Sequence, residues 1–305
     1  MTKKKFDIIT IMGATAGGKT SVAANLAFQL NTEIISADSR QVYRGMNVGT
    51  GKDLDEYIVN GVPIPYHLID IVDAGYKYNV FEYQQDFLKV YNRMQDKNKP
   101  AILCGGSGMY IEAVINGYNL LPVPPNEELR NTLEQKPHEE LIDILAGLKK
   151  LHNRSDADTK KRTIRAIEIE YYLRDNNIEK QEYPQINNIY FEICFDRDTR
   201  RKRITERLHQ RLNNGMVEEV ETLIKEGLTL DDLVFYGLEY KYIGLYLYNK
   251  LSYTEMTEQL NTAIHQFSKR QMTWFRGMER KGATIHTIEG NKGIDEKLRF
   301  IESFL

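Results

Sequence analysis

An apolar, β-branched run, Phe6-Asp7-Ile8-Ile9-Thr10-Ile11-Met12, opens directly into Gly13-Ala14-Thr15-Ala16-Gly17-Gly18-Lys19-Thr20. Gly13 and Gly18 let a backbone bend around clustered oxygens, so that successive N–H groups and the positive end of a following helix converge on one anion. Lys19 adds a mobile positive charge, and the Thr20 hydroxyl can complete the shell of a Mg²⁺. A plain glycine-rich turn is the alternative reading. The Lys-Thr offset, set between a strand and a helix, favours a chained phosphate. The motif names a polyphosphate ligand and not a reaction.

Two further stretches carry chemistry. Glu33-Ile34-Ile35-Ser36 reads as a short strand that delivers Ala37-Asp38-Ser39-Arg40-Gln41-Val42-Tyr43 into a polar loop, and strand ends carry ligands in an open parallel sheet. Ala101-Ile102-Leu103-Cys104 runs into a second glycine turn, Gly105-Gly106-Ser107-Gly108. Two such turns at strand ends imply one shared cleft. Asp38 has three readings: a base, a magnesium carboxylate, or a cap for local backbone. Farther on, Arg200, Arg203, Arg207 and Arg211 fall on one helical stripe. Arg203, just past a strand end, is placed near the phosphate, and Arg211 is read as solvated.

These residues need a frame. Val22, Leu26 and Leu30 recur at helical spacing after the loop, Tyr66–Ile71 reads as another strand, and Val80–Asp96 as a helix ended by Pro100. Strand and helix alternate, which predicts an α/β core: a parallel sheet flanked by helices. From Leu120 the texture changes. Pro122, Pro124 and Pro125 break the chain, and helical pieces follow at 127–134, 139–148 and 159–174. The expected division is 1–119 for the first part of the core, 120–186 for an inserted all-helical subdomain, and 187–305 for the return. Ile189–Phe195 restores strand character, a helix opens at Asp198 or Thr199, and Thr284–Thr287 is a last edge strand before a closing helix past Gly293. Trp274 and Phe275 are read as core of a long helix.

Composition narrows the function classes. The 305 residues carry a formal net charge of −2, so a polyanionic partner must be held by local basic surface and not by the field of the whole molecule. The two cysteines stand far apart with no Cys-x-x-Cys or Cys/His cluster, so zinc is not expected. No apolar run approaches bilayer length, and the opening Met1-Thr2-Lys3-Lys4-Lys5 leads into a strand pattern and not a cleavable signal. A cytoplasmic protein without a membrane partner is expected.

Taken together, the motifs resemble the tRNA dimethylallyltransferase (tRNA isopentenyltransferase, IPP transferase) family. The likeness runs nearly end to end. It rests on the phosphate loop, on Ile35 to Met46, on Gly105-Gly106-Ser107-x-x-Tyr110, on Arg162-x-x-Arg165-Ala166-Ile167-Glu168, and on Lys269-Arg270-Gln271-x-Thr273-Trp274. It implies a P-loop NTPase-like core, a helical insertion that clamps the anticodon stem-loop of tRNA, and dimethylallyl diphosphate as the second substrate, with Mg²⁺ at Thr20. The reaction implied is transfer of a dimethylallyl group to N6 of the adenine at position 37. In that likeness Gly13, Ala14, Thr15, Ala16, Gly17, Gly18, Lys19 and Thr20 hold the diphosphate, Asp38 is the base, and Ser107 and Arg203 complete the catalytic set. Ser107 stands where the family usually has Thr. Asp38, Ser39, Arg40, Gln41 and Ser107 would touch the RNA, as would Arg130, Lys161, Arg162, Thr163, Ile164 and Arg165. Ion pairs with nearby carboxylates are the plain alternative for the arginines.

Two departures stand out. Where the family commonly reads Ala-Ile-Gly-Tyr-Lys/Arg-Glu, this chain has Phe235-Tyr236-Gly237-Leu238-Glu239-Tyr240. It also ends without the C-terminal zinc-binding extension of eukaryotic members, consistent with a bacterial-type enzyme; separately, a monomer is expected. The rival functions are a P-loop small-metabolite kinase and a nucleotide-gated RNA-binding module, the latter giving Asp38 no task.

Overall fold

A computed structural model describes residues 5–95, 97, 99–149, 157–176 and 182–305. The chain divides into two compact units, Met1–Tyr118 with Pro184–Leu305, and Asn119–Tyr183.

The larger unit is built on a six-stranded sheet. Strand β1 (Ile8–Gly13) leads through the phosphate loop to helix α1 (Lys19–Leu30) and on to β2 (Ile34–Ser36). A small antiparallel hairpin, β3 (Ile58–Val59) with β4 (Val62–Pro63), precedes β5 (Tyr66–His67), α2 (Val80–Gln95), β6 (Ala101–Gly105) and α3 (Gly108–Ile115). Helices α4 (Glu127–Glu134), α5 (His138–Leu148) and α6 (Lys160–Asn176) form the smaller unit. The larger unit resumes with β7 (Asn188–Cys194), α7 (Arg197–Asn213), α8 (Met216–Lys225), α9 (Leu230–Tyr236), α10 (Leu238–Leu247), α11 (Tyr253–Arg280), β8 (Ile285–Glu289) and α12 (Ile294–Glu302).

The sheet order is β5-β2-β6-β1-β7-β8, and every pairing is parallel. All of β1 is buried, as a strand covered on both faces must be, which is why its sequence is a continuous apolar run. Parallel pairing sends β1, β2, β6 and β7 out at one edge, so the phosphate loop, the Asp38 loop and the Gly105 turn share it. Gly105 is required there: a Cβ would collide with the carbonyl oxygen of Ala37. Helix α1 packs Val22, Ala23, Ala24, Leu26 and Ala27 inward, and Asn31 in the left-handed conformation ends it by donating to Ala27 and Phe28 carbonyls. Truncating fully buried Leu26 to Ala would cost about 2–5 kcal/mol.

The helical unit has its own core, in which Leu133, Leu141, Leu145, Ile164 and Ile167 meet. Asn126 caps α4 by accepting from the Leu129 N–H.

Several expectations are corrected. The strand expected over Tyr66–Ile71 stops after His67, because Leu68 and Asp70 take positive φ (63° and 55°) and turn the chain out of the ladder. Helix α7 opens at Arg197, one residue earlier than expected, because Asp196 accepts from the N–H groups of Asp198 and Thr199. Phe275 is core at 1% exposure, whereas Trp274 is 40% exposed, so the two were not one pair. Met1–Lys4 and Asp96, which the sequence reading drew on, lie outside the described residues.

Candidate active site

The loops at the strand-end edge line one cavity of about 800 Å³, with Lys19, Asp38, Ser107, Arg203 and Arg207 among its walls. Helix α11 fixes its floor. Its Gln271, only 8% exposed, accepts from the Thr15 N–H (2.9 Å) and donates to the Gly106 carbonyl (2.9 Å), so one amide ties the phosphate loop to the second glycine turn.

Within the phosphate loop Lys19 Nζ donates to the Ala14 carbonyl at 2.9 Å. Burial pushes the Lys19 ammonium below its ordinary value, although Asp38 and Glu56 oppose that; a bound anion would favour its charged form. Arg203 Nε donates to the Ala16 carbonyl at 3.0 Å, and its guanidinium lies 4.6 Å from the centre of the Phe195 ring. One turn on, Arg207 is paired with Asp53, and Arg211 Nη2 lies 3.7 Å from the same carboxylate with no hydrogen-bond partner among the described residues. Gly51 beside them takes a positive φ (63°) that favours glycine, and a Cβ there would also displace both guanidinium groups. Arg211, expected in solvent, has a side chain only 14% exposed; the carboxylate of Asp53, which is distant in sequence, draws it inward.

Asp38 sits at the start of its loop, and its Oδ1 accepts from the Arg40 N–H at 2.9 Å. The backbone-capping geometry is therefore present together with a place on the cavity wall. Ser107 Oγ accepts from the Ser39 N–H at 3.2 Å, which ties the two loops together. Gln41 donates to the Gly51 carbonyl and accepts from Ser36, and Arg40 stacks 5.3 Å from the Phe235 ring centre. The cluster Asp38, Ser39, Arg40, Gln41 and Ser107 thus converges with Thr15 to Thr20 and Arg203.

For a Mg²⁺ the local donors are oxygens. The Thr20 hydroxyl faces the Glu56 carboxyl, whose value burial and Asp53 push up. Among the described residues no group of three acidic, His or Cys side chains is placed to cage a metal. A Mg²⁺ here would draw the rest of its oxygen shell from phosphate and water, which suits that ion.

In the helical unit the expected RNA-facing residues separate. Arg130 Nε and Nη2 bind Glu168 at 2.9 and 3.0 Å, Arg165 binds the same carboxylate, and Glu168 is 2% exposed. Thr163 is fully buried and bonded to His138, and Ile164 is core, so their side chains face inward. Lys161 is exposed, and Arg162, 63% exposed, has only a 3.4 Å contact to Asp158.

The sequence reading missed Asp53, Glu56, Glu239 and Tyr240 on the cavity wall. Their signal is tertiary, apart from the departure already noted at 235–240. That stretch spans the α9–α10 break at Gly237, and Tyr240 OH donates at 2.8 Å to Glu219, whose carboxylate also accepts from the Asn47, Val48 and Gly49 N–H groups.

With this geometry in hand, comparison with known proteins is direct. A family model described as IPP transferase matches residues 41–278. The chain belongs to the IPP transferase family. Among relatives of this IPP transferase, tRNA dimethylallyltransferase 2 of Bacteroides fragilis (strain YCH46) is 57% identical over 305 residues, covering 100% of this chain and 99% of that one. Among solved structures, the full-length tRNA isopentenylpyrophosphate transferase of Bacillus halodurans matches with a TM-score of 0.71 at 28% identity, over 98% of this chain and 95% of that one. A eukaryotic dimethylallyltransferase acting on tRNA shares the fold, with a TM-score of 0.74 at 20% identity over 93% and 73% of the two chains.

Proposed function

We propose that this chain transfers a dimethylallyl group from dimethylallyl diphosphate to N6 of the adenine at position 37, beside the anticodon of tRNA, and releases diphosphate. The observation that carries this reading is that Asp38 and the Lys19-Thr20 end of the phosphate loop line the same cavity. The two ends of one group transfer can meet there.

The bond between the allylic carbon and the diphosphate oxygen breaks as the bond from N6 to that carbon forms. Negative charge gathers on the departing diphosphate, where Lys19, Arg203, Arg207 and the loop N–H groups oppose it. The N6 lone pair is delocalised into the adenine ring, so the amine is a weak nucleophile; the Asp38 carboxylate takes its proton as the new bond forms. Ser107 fixes the Asp38 loop through Ser39, and Ser39, Arg40 and Gln41 face the base to be modified. Thr20 would help hold a Mg²⁺, which would supply further charge neutralisation.

The helical unit is the element we assign to the anticodon stem, with Lys161 and Arg162 toward RNA phosphates and Arg130 and Arg165 as internal braces. No helix among the described residues is long and apolar enough to cross a membrane, and we place the enzyme, as a monomer, in the cytoplasm. The test is transfer of label from dimethylallyl diphosphate to unmodified tRNA by the purified protein, with ATP offered as competing donor. Label on the RNA supports the reading, and phosphoryl transfer from ATP with no prenylation overturns it.

A further inference from the structure

Glu239 stands on the cavity wall within the 235–240 stretch that departs from the family pattern. It lies in the first turn of α10, whose N-terminal residue, Gly237, offers no side-chain cap. Glu239 lines the main cavity with Asp38, Arg207 and Arg211, and also a small adjoining void with Thr15 and Ala16. Its own backbone N–H, then Arg211 and Arg207 from α7, favour its anion; Asp38, from the loop after β2, opposes it. Around the void α8 and α11 present only uncharged Met216 and Ile264, and along α10 its neighbours are Tyr240 and Lys241. No ion pair within 4 Å holds Glu239 among the described residues, and Arg211 Nη2 is without a hydrogen bond. Two of the groups that favour its anion are thus arginines that a bound diphosphate would engage.

We propose that Glu239 is a charge-balancing residue of the donor site, taking up a proton when diphosphate settles beside Arg207 and so setting how donor affinity changes with pH. This rests on the reading of the cavity as a diphosphate site. The physics runs in one direction. Burial already pushes the Glu239 carboxyl above its ordinary value, and its own backbone N–H together with the two arginines limits that rise. A diphosphate neutralises those arginines and adds negative charge of its own, so the carboxyl rises further. Between its free and bound values the group binds a proton together with the ligand, and at higher pH it repels that ligand as an anion. Affinity should therefore fall as pH rises through that window. A purely local role, as an acid at the N-terminal turn of α10, predicts altered stability and no such linkage.

The experiment is calorimetry of inorganic pyrophosphate binding to the full chain from acid to mildly alkaline pH, in buffers of differing ionisation heat. Wild type is compared with Glu239→Gln and, as a second variant without a carboxyl, Glu239→Ala. Titration of pyrophosphate itself is shared and cancels in the ratio. The expected result is equal affinity at low pH and tighter binding by both variants at high pH, by about tenfold for each unit by which the ligand raises Glu239. Wild type should also take up to about one more proton per site than the variants. Parallel pH profiles with equal proton counts would overturn the proposal and leave the donor site standing. Absence of pyrophosphate binding by all proteins, wild type included, would remove the donor site and this inference together.

Discussion

Thr15 and Gln271 are 256 positions apart and share a hydrogen bond of 2.9 Å, from the phosphate-loop N–H to the side-chain oxygen. The other end of the same amide holds Gly106. Gln271→Ala would strand a buried carbonyl and free the loop, at a cost of about 1–3 kcal/mol. Thermal melting should register that loss. Donor KM should rise more than tRNA affinity changes, because the amide braces the phosphate loop.

Asp38→Asn keeps the side-chain oxygen that accepts from Arg40 but cannot take a proton. Turnover should fall by about two to four decades while pyrophosphate and tRNA still bind. Near-normal single-turnover prenylation by the folded variant would remove Asp38 from the role of base.

Lys19→Ala, Arg203→Ala and Arg207→Ala should each act on the donor side, raising donor KM or slowing departure of diphosphate, with little effect on equilibrium binding of tRNA alone. Loss of tRNA affinity with intact donor kinetics would reverse the orientation assigned to the cavity.

The basic face of α6 divides into grip and brace. Lys161→Ala with Arg162→Ala should weaken binding of cognate and non-cognate tRNA alike and make the dependence of log affinity on log salt shallower by about one to two units, with an unchanged melting temperature. Arg165→Ala should instead lower the melting temperature, since Glu168 would lose a partner. An unchanged salt slope in the double variant would turn this face away from RNA.

Glu168 also predicts a pH effect. Burial alone would raise its carboxyl, but Arg130, the Asn126 N–H and Arg165 outweigh that and hold it below the ordinary value. A depressed folded value contributes stability that is present above the unfolded value, about 4.5, and is lost as pH falls through the folded one. Acid unfolding of Glu168→Gln should therefore be less steep with pH than that of wild type, when followed by circular dichroism.

Legibility followed the range of the interactions. The phosphate loop and α4 were readable because their signals lie within one turn or one period. The arginine stripe of α7 was readable as a stripe, but not its depth: Arg211 goes inward because Asp53 waits for it, and nothing near Arg211 in sequence says so. Arg165 has the spacing of a phosphate contact and equally that of a partner for Glu168, and only the burial of Glu168 decides. Gln271 and Glu239 act at the cavity through tertiary placement, which no local pattern encodes.

The central claim is that donor diphosphate and target adenine meet in one cavity with Asp38 as the base. Single-turnover prenylation of unmodified tRNA by wild type and Asp38→Asn, with saturating labelled dimethylallyl diphosphate, tests it most directly. The account predicts label on adenine 37 in the wild-type reaction, a loss of about two to four decades in rate for the variant, and undiminished binding of both substrates. Label at another nucleotide, or equal rates for the two proteins, would contradict it.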